Sequence, residues 1–241
     1  MIAKNGYSAW RLIAEELRVD IVGGRIPVGG RLATEAELAE RFAVNRHTVR
    51  RAVAALADEG LVAARRGSGT FVAPHTLLTH HIGTRTRLTD SLGDRAGAAS
   101  GHLLGTAIER PPPDVAAALR LAGGEALRLE TVRSLAGQPV ARGTHWLDLA
   151  RTPDLAEHFR RTGSMTKALR ASGVDDYVRV STTISARHAT RDELADLELS
   201  PGAVVLVARA LDATPGGEPL HSGTTRFPAH LVELDVEHLP A

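Results

Sequence analysis

The sequence lacks cysteine, long apolar runs and a large net charge, and each absence excludes a class of protein. None of the 241 residues is cysteine, which excludes disulfide bonds and thiolate sites. No run of about 18 apolar residues is present, so we expect no membrane-spanning helix. The first residues also lack the charged-then-apolar pattern of a secretory signal peptide. We therefore expect a cytoplasmic protein without a membrane span.

The net charge of only +1 is unevenly distributed along the chain. Residues 1–75 contain 11 Lys and Arg against 8 Asp and Glu, whereas the remainder contains 18 against 20. Hydrophobic residues make up 43% of the sequence, which is enough for a buried core in each of two domains. We predict a basic N-terminal domain followed by a larger, slightly acidic one.

Residues 31–72 have an order of elements that is typical of a winged helix-turn-helix. A short helix is predicted over Glu35–Arg41, with Thr34 and Glu37 spaced as a capping box. A tight turn, a second helix and a hairpin follow it. The amphipathic stretch 8–22 predicts a further helix packed under these two. Because the second helix of such a motif enters the major groove of DNA, we predict a DNA-binding domain.

Basic and polar side chains are concentrated on the second helix and at the hairpin tip. Arginine suits bidentate contact with guanine, and threonine or histidine suits phosphates and base edges. A basic helix face is often only a solvated face, and a Gly-Ser-Gly tip is often only a turn. Their ordered combination favours DNA binding. The predicted DNA-binding residues are Thr34, Glu35, Asn45, Arg46, His47, Thr48, Arg50, Arg51, Arg66, Gly67, Ser68 and Gly69.

Several short segments of this region match one family of regulators. They are RL at 31–32, TE at 34–35, ELA at 37–39, VNRHTVR at 44–50, Leu56, EGL at 59–61 and GSGTFV at 67–72. On these residues the region resembles the GntR family of bacterial transcription regulators. Two positions depart from the family pattern: Ala33-Thr34 stands where Pro-Ser is preferred, and Ala36 stands where a basic residue is common. The second departure predicts one DNA contact fewer.

Residues 74–85 are interpreted as a linker between a DNA-binding domain at 1–73 and a C-terminal domain at 86–241. The segment contains His75, His80 and His81, which invite interpretation as metal ligands. No carboxylate or cysteine accompanies them, so we predict no metal site.

From residue 86 onward, short alternating runs separated by amphipathic stretches replace the helical pattern. Strands are predicted at 103–110, 127–135, 140–147, 177–188, 204–213, 220–227 and 232–236, and helices near 87–95, 112–120, 154–171 and 190–197. Turn sequences at 137–139 and 216–219 predict antiparallel neighbours. The predicted architecture is an N-terminal winged helix-turn-helix, mainly α, plus a C-terminal α+β domain with a mostly antiparallel sheet.

Hairpin and turn segments of this half match a second pattern, at 127–130 (LRLE), 132–133 (VR), 137–140 (GQPV) and 199–202 (LSPG). On these segments the half resembles the effector-binding UTRA domain of the HutC-like branch of the GntR family, whose fold is related to chorismate lyase. Within that branch, residues 44–52 and 184–199 most resemble the PhnF-like regulators, which control genes for phosphonate uptake and breakdown.

The resemblance implies a pocket for a ligand with an acidic or phosphorylated group. Arg133 is expected to clamp a phosphonate or phosphate through two parallel hydrogen bonds, and His145 to extend the basic lining. Relatives that bind sugar phosphates carry an arginine where Thr131 stands and glutamates where Gly143 and His221 stand. We therefore expect a smaller or purely anionic ligand. The implied effector-binding positions are Arg87, Thr89, Arg133, His145, Ser164, His221 and Phe227.

Two alternatives in which these residues have no role in binding stay open at this site. Arg133 is equally compatible with a surface charge on a strand, and His221 with a satisfied, half-buried histidine.

The expected mechanism is ligand-gated repression without a cofactor. A homodimer binds a palindromic double-stranded operator, and a small anionic effector releases it. The same regulator class with another ligand, such as a sugar phosphate, a histidine-pathway metabolite or an organic acid, stays open. An enzyme is the alternative of another class, because the second fold is shared with a lyase. Glu130 and His145 are the inviting catalytic candidates, but no nucleophile, metal set or phosphate loop accompanies them, so we predict no catalytic residue.

Overall fold

The chain divides into two compact units, Met1–Leu77 with Glu198–Ala203, and Leu78–Leu197 with Val204–Ala241. The structure, a computed structural model, describes residues 8–65, 67–73, 78–84, 99–121 and 124–236. Within these ranges, none of the helices has the length and apolar character needed to cross a membrane.

In its described residues, the first unit contains three helices and a two-stranded hairpin. Helix α1 spans Ala9–Val22, α2 spans Glu35–Arg41 and α3 spans Arg46–Asp58. The strands β1 (Val62–Arg65) and β2 (Gly69–Val72) pair antiparallel. The unit is a winged helix-turn-helix, with α2 and α3 as the helix pair and β1–β2 as the wing, as the sequence predicts.

Apolar residues at helical spacing form the core of this unit. Leu17 of α1, Leu38 of α2 and Leu56 of α3 are at most 1% exposed and belong to one buried cluster. Burying each such side chain contributes about 1.5–3 kcal/mol. After α3, Gly60 has a φ of 72°, a conformation that glycine adopts at low cost and that directs the chain into the wing.

The second unit is built on a six-stranded antiparallel sheet. Its strands are β4 (Ala99–Glu109), β5 (Ala126–Leu135), β6 (Gln138–Leu147), β7 (Val178–His188), β8 (Val204–Ala213) and β9 (Pro219–Pro228). Their spatial order is β4-β5-β6-β9-β8-β7, and every neighbouring pair is antiparallel. Ala136 and Gly137 join β5 to β6 with φ values of 50° and 87°, as a two-residue hairpin requires.

Four short helices accompany this sheet in the described residues. They are α4 (Pro113–Ala118), α5 (Leu155–Thr162), α6 (Met165–Ala171) and α7 (Arg191–Asp196). The predicted amphipathic stretch 154–171 is divided between α5 and α6 at Gly163, whose φ is 59°. Phe159 of α5 and Leu169 of α6 pack into a cluster with Leu129 of β5, so both helices lie on one face of the sheet. The predicted stretch near 87–95 lies outside the described residues.

Gly163 and Gly101 hold the turn between α5 and α6 against β4. A Cβ atom on Gly101 would lie 2.1 Å from the carbonyl oxygen of Gly163. Real Cβ atoms do not approach an oxygen so closely, so this packing requires glycine at position 101.

Part of the expected linker is a strand, which corrects the interpretation of residues 74–85. Leu78–Ile82 forms β3, which pairs in parallel with β10 (Val232–Val236) in a separate two-stranded sheet. Alternate side chains of β3, those of Leu78, His80 and Ile82, are buried. The alternation was not recognised from the sequence, because two of the five residues are histidines and give the segment the polar composition of a linker.

Candidate nucleic-acid interface and ligand cavity

The exposed face of α3 carries the basic side chains that the sequence analysis assigned to DNA. Arg46, His47, Arg50 and Arg51 are all exposed, whereas Val49 is fully buried. Since residues four apart lie on the same side of a helix, Arg46 lies beside Arg50 and His47 beside Arg51. Helix α3 therefore presents a continuous basic surface to solvent.

Side-chain caps hold the N-termini of α2 and α3, as predicted. The Thr34 backbone N–H donates to Glu37 Oε2 over 2.7 Å, and the Glu37 backbone N–H donates to Thr34 Oγ1 over 3.3 Å. Asn45 Oδ1 accepts from both the backbone N–H and the hydroxyl of Thr48, at 2.8 and 2.9 Å. Three of the predicted DNA-binding side chains, Thr34, Asn45 and Thr48, thus also fix the helix ends.

An ion pair connects the two helices on the exposed side. Arg50 Nη2 lies 2.9 Å from Glu35 Oε2, and Arg50 Nε lies 3.2 Å from Glu35 Oε1. The hydrogen bonds from Arg50 hold the pKa of Glu35 below its usual value. Because the Arg50 side chain is 67% exposed, Glu35 orients the guanidinium without shielding it from a nucleic acid.

Two exposed arginines at the wing were not assigned to DNA from the sequence. Arg65 lies over the Phe71 ring, 4.6 Å from its centroid. Arg31 forms a backbone bridge to Phe71, and its Nε lies 2.9 Å from the place that a Cβ atom of Gly69 would occupy. The basic sequence around Arg65 was a usable signal, whereas the long-range bridge of Arg31 has no local signal. Of the assigned wing residues, Gly67, Ser68 and Gly69 are exposed, and Arg66 lies outside the described residues.

The second unit contains a cavity of about 120 Å³ between one face of the sheet and the turn that joins α5 to α6. Four of the predicted effector residues line it: Arg133, His145, His221 and Phe227. Cavities of about 150 Å³ in other proteins hold a molecule the size of benzene, so this one suits a small ligand or headgroup.

Three predicted effector positions are not placed in the cavity. Ser164 is the N-cap of α6, where its hydroxyl accepts from the Lys167 backbone N–H at 3.4 Å, and its neighbours Gly163 and Met165 line the cavity instead. Arg87 and Thr89 lie outside the described residues.

Arg133 lines the cavity, and one of its hydrogen-bond donors is unfilled. Its Nε is buried and has no hydrogen-bond partner among the described residues. Burial lowers the pKa of this guanidinium from its ordinary value. Because a cation that is partly removed from water without a partner is destabilising, an anion in the cavity would offset part of that penalty.

A row of hydrogen-bonded side chains crosses the cavity, one from each of five neighbouring strands. Thr131 Oγ1 lies 3.1 Å from His145 Nε2, His145 Nδ1 lies 2.9 Å from His221 Nε2, and His221 Nδ1 lies 2.9 Å from Asp212 Oδ2. Arg179 Nε donates to Asp212 Oδ1. We call Thr131, His145, His221, Asp212 and Arg179 the polar row.

The polar row corrects the expectation that His145 adds positive charge. Burial, reinforced by His221, lowers the pKa of His145 to about 3, so its imidazole is neutral at neutral pH. Although burial opposes it, contacts with His221 and Arg179 hold the pKa of Asp212 below its usual value. Asp212 is therefore a carboxylate that accepts hydrogen bonds from both neighbours.

Two glycines make room for the histidine pair. A Cβ atom on Gly143 would lie 2.3 Å from His145 Nε2, and one on Gly223 would lie 2.9 Å from His221 Cε1. Gly223 stands opposite His145 in the β6–β9 register. The histidine rings thus occupy the space that side chains at positions 143 and 223 would otherwise fill.

Among the polar residues that line the cavity, His80, Arg179 and Asp212 were not predicted from the sequence. His80 was placed in the linker, yet its ring lies 5.4 Å from that of Phe227, centroid to centroid. Burial lowers the pKa of His80 to about 4, with help from Arg179 and His81. The alternating strand pattern indicates which face of the sheet Arg179 and Asp212 lie on. It does not indicate which side chains they contact.

Comparison with known proteins assigns both parts of the chain. The family profile described as "Bacterial regulatory proteins, gntR family" matches residues 11–72, and that of the "UTRA domain" matches residues 95–233. The chain is 41% identical over 233 residues to "Uncharacterized HTH-type transcriptional regulator RB1450" of Rhizobium meliloti (strain 1021), with 96% of each chain covered. It is 30% identical over 213 residues to "Probable transcriptional regulator PhnF" of Escherichia coli (strain K12), with 87% of each covered. The solved structure of PhnF from Mycobacterium smegmatis has the same fold, with a TM-score of 0.62 at 22% identity over 95% of this chain and 100% of that one.

Proposed function

Because the chain belongs to the GntR family of bacterial regulatory proteins and carries a UTRA domain, it is a DNA-binding transcriptional regulator, and we propose that it is a repressor released by a small phosphonate- or phosphate-like anion. The family supplies the regulator class and an effector domain. The charge of the ligand, its size, the operator and the oligomeric state are our proposal.

The half-buried Arg133 carries the proposal of an anionic ligand. Its Nε lacks a partner among the described residues. A phosphonate or phosphate offers oxygens in the geometry that a guanidinium binds through two parallel hydrogen bonds. The other arginine among the described lining residues, Arg179, is already paired with Asp212. Arg133 is therefore the side chain to which we assign the ligand's charged group.

The cavity is poorly suited to sugar hydroxyls. Asp212 is the only carboxylate among its described lining residues, and both of its oxygens already accept hydrogen bonds, from Arg179 and His221. A sugar hydroxyl would find no free carboxylate there. This favours a compact anion over a sugar phosphate, and the similarity to PhnF supports a phosphonate.

On the DNA side we propose that two copies of the chain bind a two-fold symmetric operator. The α3 arginines would contact bases and phosphates in the major groove, while the wing contacts the backbone nearby. Arg50 is assigned the central base contact, because Glu35 holds it in place while its side chain stays exposed.

The chain offers a short covalent route between the two activities. β2 of the wing ends at Val72, and β3 begins at Leu78. His80 of β3 lines the cavity. A ligand acts only through its different affinities for two arrangements of the protein. We propose that the two arrangements differ in the position of β3.

The first test is a selection of random duplexes with the purified full chain. We expect enrichment of a palindrome whose half-site centres lie about one helical turn apart. Arg50→Ala should then weaken binding to that duplex by about 10- to 100-fold in a mobility-shift assay. Arg41→Ala, which removes an exposed α2 arginine outside the assigned set, is the matched control and should retain most of the affinity. Purely salt-driven binding to every duplex would contradict the proposal.

The second test concerns the effector. Methylphosphonate should release the selected operator from the native chain, and Arg133→Ala should bind the operator normally but resist release. Arg128→Ala is the control, because Arg128 lies on the same strand and pairs with Glu109 and Glu130. If Arg133→Ala is released like the native chain, Arg133 is not the anion site. Release by an aminosugar phosphate and not by methylphosphonate would reject the proposed ligand class.

A further inference from the structure

The hydrogen bonds of the two histidines in the polar row can run in either direction along the row, depending on which ring nitrogens carry protons. The protein backbone does not fix that direction. Asp212 is a carboxylate, so His221 must donate its Nδ1–H to it. With both rings neutral, His221 Nε2 is an acceptor. His145 then donates its Nδ1–H to His221, and Thr131 donates its hydroxyl proton to His145 Nε2. In this state the Thr131 hydroxyl proton is bonded to His145 Nε2 and is not available to a ligand.

One additional proton reverses this direction. A proton taken from solvent adds to His145 Nε2, and His145 passes its Nδ1 proton to His221 Nε2. His145 remains neutral as the other tautomer, and His221 becomes a cation beside the Asp212 carboxylate. His145 now donates through Nε2–H to Thr131 Oγ1, which frees the Thr131 hydroxyl proton. No covalent bond other than N–H bonds changes, and the positive charge rests at the Asp212 end of the row.

From this geometry we propose that the cavity takes up one proton together with a doubly charged anion, and that the polar row then donates a hydrogen bond to that anion. The proposal rests on the proposed function, because it deepens the recognition of the anionic effector. It goes further by naming the charge state of the ligand and the residues that sense it.

A count of the charges that face the pair explains why a dianion requires this proton. On β5 stands Arg133, on β7 Arg179, and on β8 Asp212, which cancels Arg179. On β9, Arg226 acts on His145 through space but does not line the cavity, and it lies 3.2 Å from Glu193, a carboxylate that Arg187 also contacts. On β3, His80 is held neutral by burial.

On the helical side of the cavity, the described lining residues add no charge. Its described lining residues from α5, α6 and their turn are Phe159, Gly163, Met165 and Thr166. Among the described lining residues, Arg133 therefore balances one negative charge. Within the part of the chain that the structure describes, a second negative charge would remain uncompensated unless the histidine pair becomes cationic.

The packing around the pair supports a specific role. Only glycine at positions 143 and 223 leaves space for the two rings at hydrogen-bonding distance. A histidine pair that merely filled space would not need a carboxylate and an arginine aligned behind it on β8 and β7. In this alignment Asp212 stabilises the added positive charge on His221, whereas the proton enters at His145 Nε2.

The test is a calorimetric titration of the full chain with methylphosphonate at about pH 8.5, in two buffers that differ in ionisation enthalpy. The native chain should take up about one proton per ligand, and its affinity should fall about tenfold for each pH unit above that. His221→Gln keeps an amide acceptor toward His145 and a donor toward Asp212 but cannot become a cation. It should bind more weakly than the native chain, with little proton uptake and little dependence on pH.

Two further variants keep the outcome decisive. His145→Gln should lose proton uptake in the same way, which guards against a folding defect specific to position 221. His80→Gln, which changes the other buried histidine of the cavity, should still take up about one proton. Binding without uptake by the native chain, or undiminished uptake by both polar-row variants, would overturn this inference and leave the proposed function intact. If methylphosphonate does not bind at all, the proposed anionic effector fails first.

Discussion

The two units differ in how their functional side chains are brought together. In the winged unit, the assigned residues belong to two consecutive helices with their N-caps and to a hairpin, within residues 34–69, and most of those that the structure describes are exposed. In the second unit, the polar row takes one residue from each of five strands between positions 131 and 221. Elements that are neighbours in the sequence form the first site, whereas strand register assembles the second. The following perturbations test whether each unit depends on its own kind of contact.

Each unit carries one of the two tryptophans of the chain, which allows the units to be followed separately. Trp10 lies in the winged unit and Trp146 in the second, and each is 8% exposed. A Trp146→Phe background reports the unfolding of the first unit by fluorescence, and a Trp10→Phe background reports that of the second.

The largest effect is expected from a buried ion pair in the winged unit. Arg18 donates from Nε and Nη2 to the two Glu59 oxygens, at 2.9 and 2.7 Å, and the Glu59 side chain is 1% exposed. Glu59→Ala leaves the part-buried arginine without this partner and should lower the free energy of unfolding by about 3–5 kcal/mol. Glu16→Ala, which removes an exposed partner of Arg41, should cost less than about 1 kcal/mol. Equal losses would show that burial does not decide the strength of these pairs.

The second unit should be more sensitive at Gly101. Gly101→Ala places a methyl group against the Gly163 backbone and should lower the stability of this unit by about 3 kcal/mol, with weaker methylphosphonate binding. Gly105 lies on the same strand, and a methyl group added there would meet nothing within 4 Å, so Gly105→Ala should be nearly neutral. If the two alanines behave alike in chemical unfolding, the Gly101–Gly163 approach does not shape the cavity.

Acidification should separate the units further. Burial lowers the pKa of His80 to about 4, and that of His145 to about 3, below the ordinary value of 6.5. Between these values and about pH 6.5, both are protonated only in the unfolded chain. Their contribution to stability is complete above about pH 6.5 and is lost as the pH falls toward 4. His80 alone should cost the second unit about 2 kcal/mol between about pH 7 and 5. In the His80→Gln variant the loss should be smaller by that amount, and an unchanged loss would contradict a buried neutral His80.

The smallest effect should be the same in both units. Thr34 and Thr190 each form a capping box, with Glu37 at the start of α2 and Glu193 at the start of α7. Thr34→Ala and Thr190→Ala should each cost about 1 kcal/mol in thermal unfolding of their own unit. Only Thr34→Ala should also weaken operator binding. A DNA defect in Thr190→Ala would mean that the caps do not act locally.

Local chemistry explains how much of the winged unit was predictable. The caps at Thr34 and Asn45 involve residues only three positions away, and the basic face of α3 follows from helical periodicity. The Arg50–Glu35 pair, by contrast, depends on the angle between two helices, and the bridge from Arg31 to Phe71 closes a loop of about forty residues. Neither contact has a local sequence signal.

The cavity was predictable as a set of residues but not as a set of contacts. Arg133, His145 and His221 were assigned by family resemblance and do line one cavity. Their charge states were not accessible from the sequence, because the neutrality of His145 depends on its burial and on its pairing with His221. That pairing requires the β6–β9 register, which joins residues 76 positions apart.

We propose that binding of an anion in the cavity and binding of DNA to the winged unit oppose each other. The most direct measurement is the affinity of the full chain for methylphosphonate with and without saturating operator duplex. By thermodynamic linkage, the duplex must weaken methylphosphonate binding by the same factor by which methylphosphonate weakens operator binding. We predict equal factors well above one for the native chain. The same methylphosphonate affinity with and without the operator would contradict the account.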